Sequence, residues 1–165
     1  MTTLAPVVTI ALADYRDPAD AALLVELLDA YARDPMGGGQ GLAPDVRERL
    51  VPALAEQPGA FSLIARVGGE PAGLANCFTG FSTFAARPLV NLHDLAVLPR
   101  FRGQGIARAL LGAVEAEAKK RGACKVTLEV LGGNLPAITL YQEAGFARYG
   151  LDPTAGSAQF WEKKL

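Results

Sequence analysis

Apolar and polar positions alternate over residues 7–13, then recur at three- and four-residue steps at Ala21, Leu24, Leu27, Leu28 and Tyr31. The first pattern predicts a strand and the second a helix whose apolar stripe packs on a sheet. Asp17 and Pro18 stand at the join, an N-cap followed by proline at the first helical position. Asp34-Pro35-Met36 and the glycines up to Gly41 end the helix. So much glycine is costly to order, which predicts either a flexible connector or a loop that orders around a ligand. Residues 43–57 return to helical spacing at Val46, Leu50 and Leu54, and Pro52 predicts a broken helix. Residues 61–67 and 71–84 read as strands joined at Gly68-Gly69 and therefore antiparallel. Residues 85–89 lead to a central strand at 90–98. The main helix is expected over 105–121, with Ile106, Leu110, Val114 and Ala118 four apart and Gly122 as its stop. A strand at 125–131 follows; the helical crossover makes it parallel to the one at 90–98. Gly132-Gly133-Asn134 turns into a helix over 136–144 closed by Gly145, and 146–150 with 157–163 predict a last hairpin.

Residues 90–107, VNLHDLAVLPRFRGQGIA, join a buried strand to an Arg- and Gly-rich turn and the first turn of a helix. Pro99 ends the ladder because it has no amide donor. Gly103 and Gly105 permit backbone conformations closed to other residues, so consecutive amides can point into one space where a helix begins. With the helix macrodipole and the guanidinium of Arg102, joined by Arg100, such a turn suits a phosphate or pyrophosphate. It lacks the lysine of a nucleotide P-loop, and Gly103-Gln104-Gly105-Ile106-Ala107-Arg108 lacks the third glycine of the dinucleotide fingerprint.

The R-x-x-G-x-A pattern of Arg102, Gly105 and Ala107, after a strand ending LAVLP, resembles the GCN5-related N-acetyltransferase (GNAT) superfamily. Leu128-Glu129-Val130, Asn134 with Ala137, and Leu140-Tyr141 to Gly145-Phe146 repeat the family's L-E-V, N-x-x-A and L-Y-x-x-x-G-F signatures in order. The resemblance implies a mixed α/β fold, a central sheet of about six or seven strands splayed between two parallel strands and flanked by about four helices. It implies acetyl-CoA as cosubstrate. The pyrophosphate would lie on Arg102, Gly103, Gln104, Gly105, Ile106 and Ala107, the pantetheine arm along Leu95, Ala96 and Val97, and Asn134, Ala137 and Tyr141 would also meet the cofactor. Asn134 equally suits the N-cap of the helix that follows it.

Length and charge narrow the setting. A chain of 165 residues, 50% hydrophobic and 20% charged, suits one domain spanning 1–165 with a single core. Sixteen Lys and Arg against 17 Asp and Glu give a net charge of −1, so neither nucleic acid nor an acidic membrane is an expected partner. The first residues lack a cationic stretch before an apolar run, and no run reaches the ~18 apolar residues of a membrane span, which predicts a cytoplasmic protein. Cys77 and Cys124 have no C-x-x-C spacing, and His93 is the single histidine, so a metal-free mechanism is expected.

Acetyl transfer to an amine needs a neutral amine, a polarised carbonyl and a proton for the departing thiolate. The resemblance assigns proton donation to Tyr141, with packing and a cofactor contact as its alternative. Glu129 matches the glutamate proposed as base in ribosomal-protein N-terminal acetyltransferases; on a strand it would face away from Leu128 and Val130. His93 competes for that role, standing before Asp94 where spermidine/spermine acetyltransferases carry the glutamate of L-E-D. A hydrogen-bonded core histidine is the plain alternative. Asp94 would orient His93 or bind a cationic acceptor, and Asp34 and Phe81 would border the acceptor cleft. The expected function is transfer of acetyl to a primary amine, on a small molecule in preference to a peptide, by direct attack without a covalent enzyme intermediate. A protein N-terminal or lysine acetyltransferase and a non-catalytic acyl-CoA sensor are the alternatives, and a homodimer is compatible with each.

Overall fold

The computed structural model describes residues 7–165, and the chain divides by its contacts into a unit ending at Leu128 and one from Glu129 to Leu165. The first unit opens with β1 (Val8–Leu12) and α1 (Pro18–Arg33). α1 starts where Asp17 and Pro18 predict: the Asp17 carboxylate accepts from the Ala19 amide at 3.1 Å, and Pro18 sits where no intrahelical donor is required. The glycine-rich connector is ordered by its own contacts. Asp34 caps the end of α1 and the 3₁₀ turn Pro35–Gly37, the Gln40 amide donates to the Ala32 carbonyl, and the Leu42 amide donates to Asp29 at 2.7 Å. A Cβ on Gly37 would collide with the Tyr31 carbonyl, so glycine there permits close packing of the backbone.

The predicted break at Pro52 is not present: α2 (Pro44–Glu56) runs through it. Proline removes the donor that the Glu48 carbonyl would receive, but Glu48 and Pro52 both lie on the exposed side, where solvent can hydrate that carbonyl. The helix loses one bond and keeps its course.

β2 (Ala60–Val67) and β3 (Glu70–Ser82) form the expected hairpin about Gly68-Gly69. β4 (Arg87–Val97) begins earlier than predicted because Arg87 and Pro88 already pair with Ser82 and Phe81. After α3 (Ile106–Lys120) the chain returns as β5 (Val126–Leu128). The sheet order is β1-β2-β3-β4-β5, antiparallel except for β4 and β5, which run parallel as the crossover requires. Successive residues of β2 and β3 are buried, so both faces of the sheet are covered. On one face Leu24, Leu27, Val51, Ile64 and Leu74 pack together; α3, with Ile106, Leu110, Leu111 and Val114 buried, packs on β2, β3 and β4.

The second unit contains α4 (Leu135–Glu143). Its predicted hairpin reduces to a single bridge between Gly150 and Ser157. Residues 147–165 are exposed throughout, so a ladder there would have no buried apolar face to hold it. The fold is therefore the mixed α/β arrangement expected, with four α-helices and a splayed parallel pair, and the sheet has five strands among the described residues instead of six or seven. No helix of the described residues is long and apolar enough to cross a membrane.

Candidate active site

The parallel ladder between β4 and β5 runs from Val90–Val126 to Leu92–Leu128 and stops there. β4 continues to Val97, so Leu95, Ala96 and Val97 border β3 on one side and have no paired strand on the other among the described residues. An extended chain of amides can bond such an edge as another strand would. The strand then enters the turn Pro99–Phe101 and the glycines ahead of α3. Gly103 (φ 75°) and Gly105 (φ 77°) both take the left-handed conformation, and nothing lies within 4 Å of where a Cβ would stand on either. Gly105 is the N-cap of α3 and offers no side-chain cap, so the first-turn amides, those of Ile106 and Ala107 among them, have no intrahelical acceptor. An open, uncapped helix start behind a free strand edge fits a pantetheine arm and its pyrophosphate.

Arg102 is turned back onto the protein. Its Nε donates to the Val97 carbonyl at 3.1 Å and its Nη2 pairs with the Asp34 carboxylate at 2.8 Å. This joins the glycine turn to the end of α1, and the guanidinium, followed by the Met36 amide, holds the Asp34 carboxyl below the usual carboxylate range. Two of the guanidinium's five donors are engaged in these bonds. Arg100 instead lies over the Phe101 ring at 4.7 Å and pairs with Glu70, and the Gln104 side chain donates to the Arg100 carbonyl.

Asp94 lies on the same stretch of β4. The register places Asn76 opposite Asp94 but Cys77 opposite Leu92, so His93 is the extra residue of a β-bulge. His93 is exposed, with its ring edge-on to Phe78 at 5.4 Å between centroids, and is not a core histidine. Asp94 is half-buried, receives a hydrogen bond from the Asn76 amide at 3.0 Å, and has no ion-pair partner among the described residues. Tyr31 of α1 feels both carboxylates: burial raises its phenol pKa, and the charges of Asp94 and then Asp34 add to the rise. Tyr31, Leu27 and Ala30 line a cleft with Ala96, Val97 and Arg102. Phe81, near the end of β3, is exposed. Cys77 is buried and its thiol is pushed up to about 12 by that burial.

Four expected residues belong to the second unit. Glu129 lies one residue past the end of β5 and is exposed, so the alternation that aimed it away from Leu128 and Val130 does not apply. Asn134 is the N-cap of α4, its Oδ1 accepting from the Ala137 amide at 3.3 Å. Tyr141 sits in the last turn of α4. The Phe146 amide donates to the Tyr141 carbonyl, Gly145 has φ 90°, and the two rings meet at 5.9 Å. This is a Schellman end with its hydrophobic contact, so the motif from Leu140 to Phe146 is in part a helix stop.

Tyr31 and Asn76 have no place among the residues expected from the sequence. Tyr31 is hidden in an apolar helical stripe, whereas Asn76 carries a signal: it is the one amide in the otherwise apolar run Pro71 to Phe78.

Residues 24–146 match the sequence model of the Acetyltransferase (GNAT) family. The chain is 33% identical over 135 residues to the streptothricin acetyltransferase of Streptomyces lavendulae, covering 82% of this chain and 62% of that protein. It is 32% identical over 91 residues to the thialysine N-epsilon-acetyltransferase of Caenorhabditis elegans, covering 55% and 56%. The match thus spans little more than half the length of these curated relatives. In fold it is similar to the crystal structure of an aminoglycoside acetyltransferase from an uncultured soil metagenomic sample, with a TM-score of 0.75, 19% identity, and 96% and 97% of the two chains covered. A family match over residues 24–146, well over half of the chain, means that the chain belongs to the acetyltransferase (GNAT) family.

Proposed function

We propose that the protein transfers acetyl from acetyl-CoA to a primary amine of a small cationic molecule, by direct attack while both substrates are bound. The observation that carries this reading is the half-buried Asp94 carboxylate, unmatched by a cation among the described residues, on the strand whose free edge leads into the glycine turn. Acetyl-CoA, when bound, supplies an activated thioester. The chain's own work is then to hold and orient. Backbone groups of Leu95 to Val97 pair with the arm, amides from Gly103 to Ala107 and the start of α3 hold the pyrophosphate, and Asp94 with the Tyr31 phenol draws the ammonium end of the acceptor. Asn134 and Ala137 join the cofactor set, and Tyr141 gives its proton to the leaving sulfur, on the strength of their motifs. Glu129 is the first choice to remove the proton from the amine, directly or through water, and His93 the second.

Two curated relatives support a small acceptor, since their names specify acetylation of streptothricin and of a thialysine side-chain amine, while the ribosomal-protein alanine acetyltransferase of Escherichia coli, 44% identical over 55 residues, keeps a protein acceptor as the second reading. A panel of small diamines, monoamines and peptides, each with acetyl-CoA, tests the reading through release of free thiol. Turnover fastest with small amines that carry a second positive group is expected. Turnover confined to peptides would replace the small acceptor by a protein one, and acetyl-CoA binding without turnover on any amine would make the protein an acyl-CoA sensor.

A further inference from the structure

Ser62, Asn76 and Asp94 lie directly opposite one another on β2, β3 and β4, on the face that α1 and α2 cover. Their side chains form one hydrogen-bonded row. The Asn76 amide donates to Asp94 Oδ2 at 3.0 Å, the Ser62 hydroxyl donates to Asn76 Oδ1 at 2.6 Å, and the Tyr15 phenol lies 2.9 Å from Ser62 Oγ. Chemistry fixes the direction of every link. An ionised carboxylate only accepts, so Asn76 turns its NH₂ to Asp94 and its oxygen to Ser62; Ser62 then spends its single hydrogen on Asn76 and must accept from Tyr15. All three donors point toward Asp94, an arrangement in which each bond polarises the next. The amide at its centre does not pass protons along, so the row orients and polarises and is not a proton wire.

Ser62 and Asn76 are 1% and 5% exposed, beside Ile64 and Leu74 in an apolar cluster. Apolar side chains at 62 and 76 would fill the same space without burying polar groups. Asp94 itself is only half-buried and could be satisfied by solvent. The row is therefore unnecessary for packing and unnecessary for hydrating Asp94. What it supplies is direction, at the place where the bulge of His93 has broken the regular alternation of β4 and left the aim of the next side chain to be fixed by something else.

We propose that Asn76 is a positioning residue for the acceptor: it holds the Asp94 carboxylate in the orientation that receives the ammonium group, with Ser62 and Tyr15 backing it. This rests on Asp94 being the acceptor's carboxylate, and the test separates the two. Asn76→Leu, Asp94→Asn and the double variant are compared by KM for the best cationic amine of the panel, by the acetyl-CoA dissociation constant and by thermal melting. Asn76→Leu is expected to raise KM for the amine about tenfold, the scale of a lost bond to a charged group, with acetyl-CoA affinity unmoved. In the Asp94→Asn background the same substitution should add nothing, because its effect passes through the carboxylate. Asn76→Ala removes the donor without adding a bulky side chain or a charge; it should also raise KM, and it serves if the leucine variant does not fold. Ser62→Ala should act in the same direction and more weakly. Normal KM in the Asn76 variants while Asp94→Asn raises it would overturn the positioning role alone. Normal KM in Asp94→Asn would overturn the acceptor site and this role with it. Equal loss in KM, acetyl-CoA affinity and melting temperature would reduce the row to a structural one.

Discussion

Arg102 shows how one side chain can be engaged in two ways. Its guanidinium ties the glycine turn to the Val97 carbonyl and to Asp34 with two of its five donors, and the proposed phosphate contact would use others. Arg102→Ala should weaken acetyl-CoA binding by about 1–3 kcal/mol, the cost of losing a charge-assisted bond, and calorimetry measures it. An unchanged dissociation constant in a folded variant would leave the anion to the backbone alone. Tyr141 needs a subtler substitution, because its ring forms the hydrophobic contact of a helix end with Phe146. Tyr141→Ala would damage that end, whereas Tyr141→Phe keeps ring and cap and removes the hydroxyl with its proton. If the phenol protonates the leaving thiolate, kcat should fall ~10²-fold or more with acetyl-CoA affinity little changed. Equal turnover would limit Tyr141 to packing.

At the scale of elements, the connector between α1 and α2 is held by a polar staple. Asp29, buried in α1, receives Arg33 at 3.0 Å, Arg47 of α2 at 2.8 Å and the Leu42 amide at 2.7 Å. The Arg33 hydrogen bond is the largest cause that lowers its pKa from 3.8 to about 2. A carboxyl whose folded pKa is depressed stabilises the fold fully above its unfolded value and loses that contribution as pH falls through the folded one. Asp29→Asn should therefore melt at a lower temperature than the parent at neutral pH, and the gap should narrow as pH falls below about 5, as read by thermal scans. A gap that does not narrow with falling pH would assign the effect to the geometry of the staple and not to its charge. The same staple sets the end of α1, where Tyr31 lines the cleft and Asp34 holds Arg102.

Across the whole molecule, the burial of Cys77 bears on the route of the reaction. With its thiol pushed up to about 12 by desolvation, it holds almost no thiolate at neutral pH and is a poor acyl carrier, which agrees with direct attack. The periodic elements, their caps and the parallel crossover were legible in the residues alone, because these depend on local spacing and on donors within a few residues. So were the glycine turn and the family motifs, where a few residue types must stand at set separations. The effect of Pro52 and the fate of the final hairpin were not, since the outcome there rests on which side faces solvent: a lost bond is tolerated on an exposed helix face, and a ladder is not sustained without burial. It is the folded chain that brings Arg102 to Asp34, 68 residues away, sets Tyr31 within the fields of Asp94 and Asp34, and lets the Asn76 amide donate to Asp94. Those pairings lie across strands and between helix and sheet, where sequence separation carries no distance and a bulge of one residue changes the direction of every side chain beyond it.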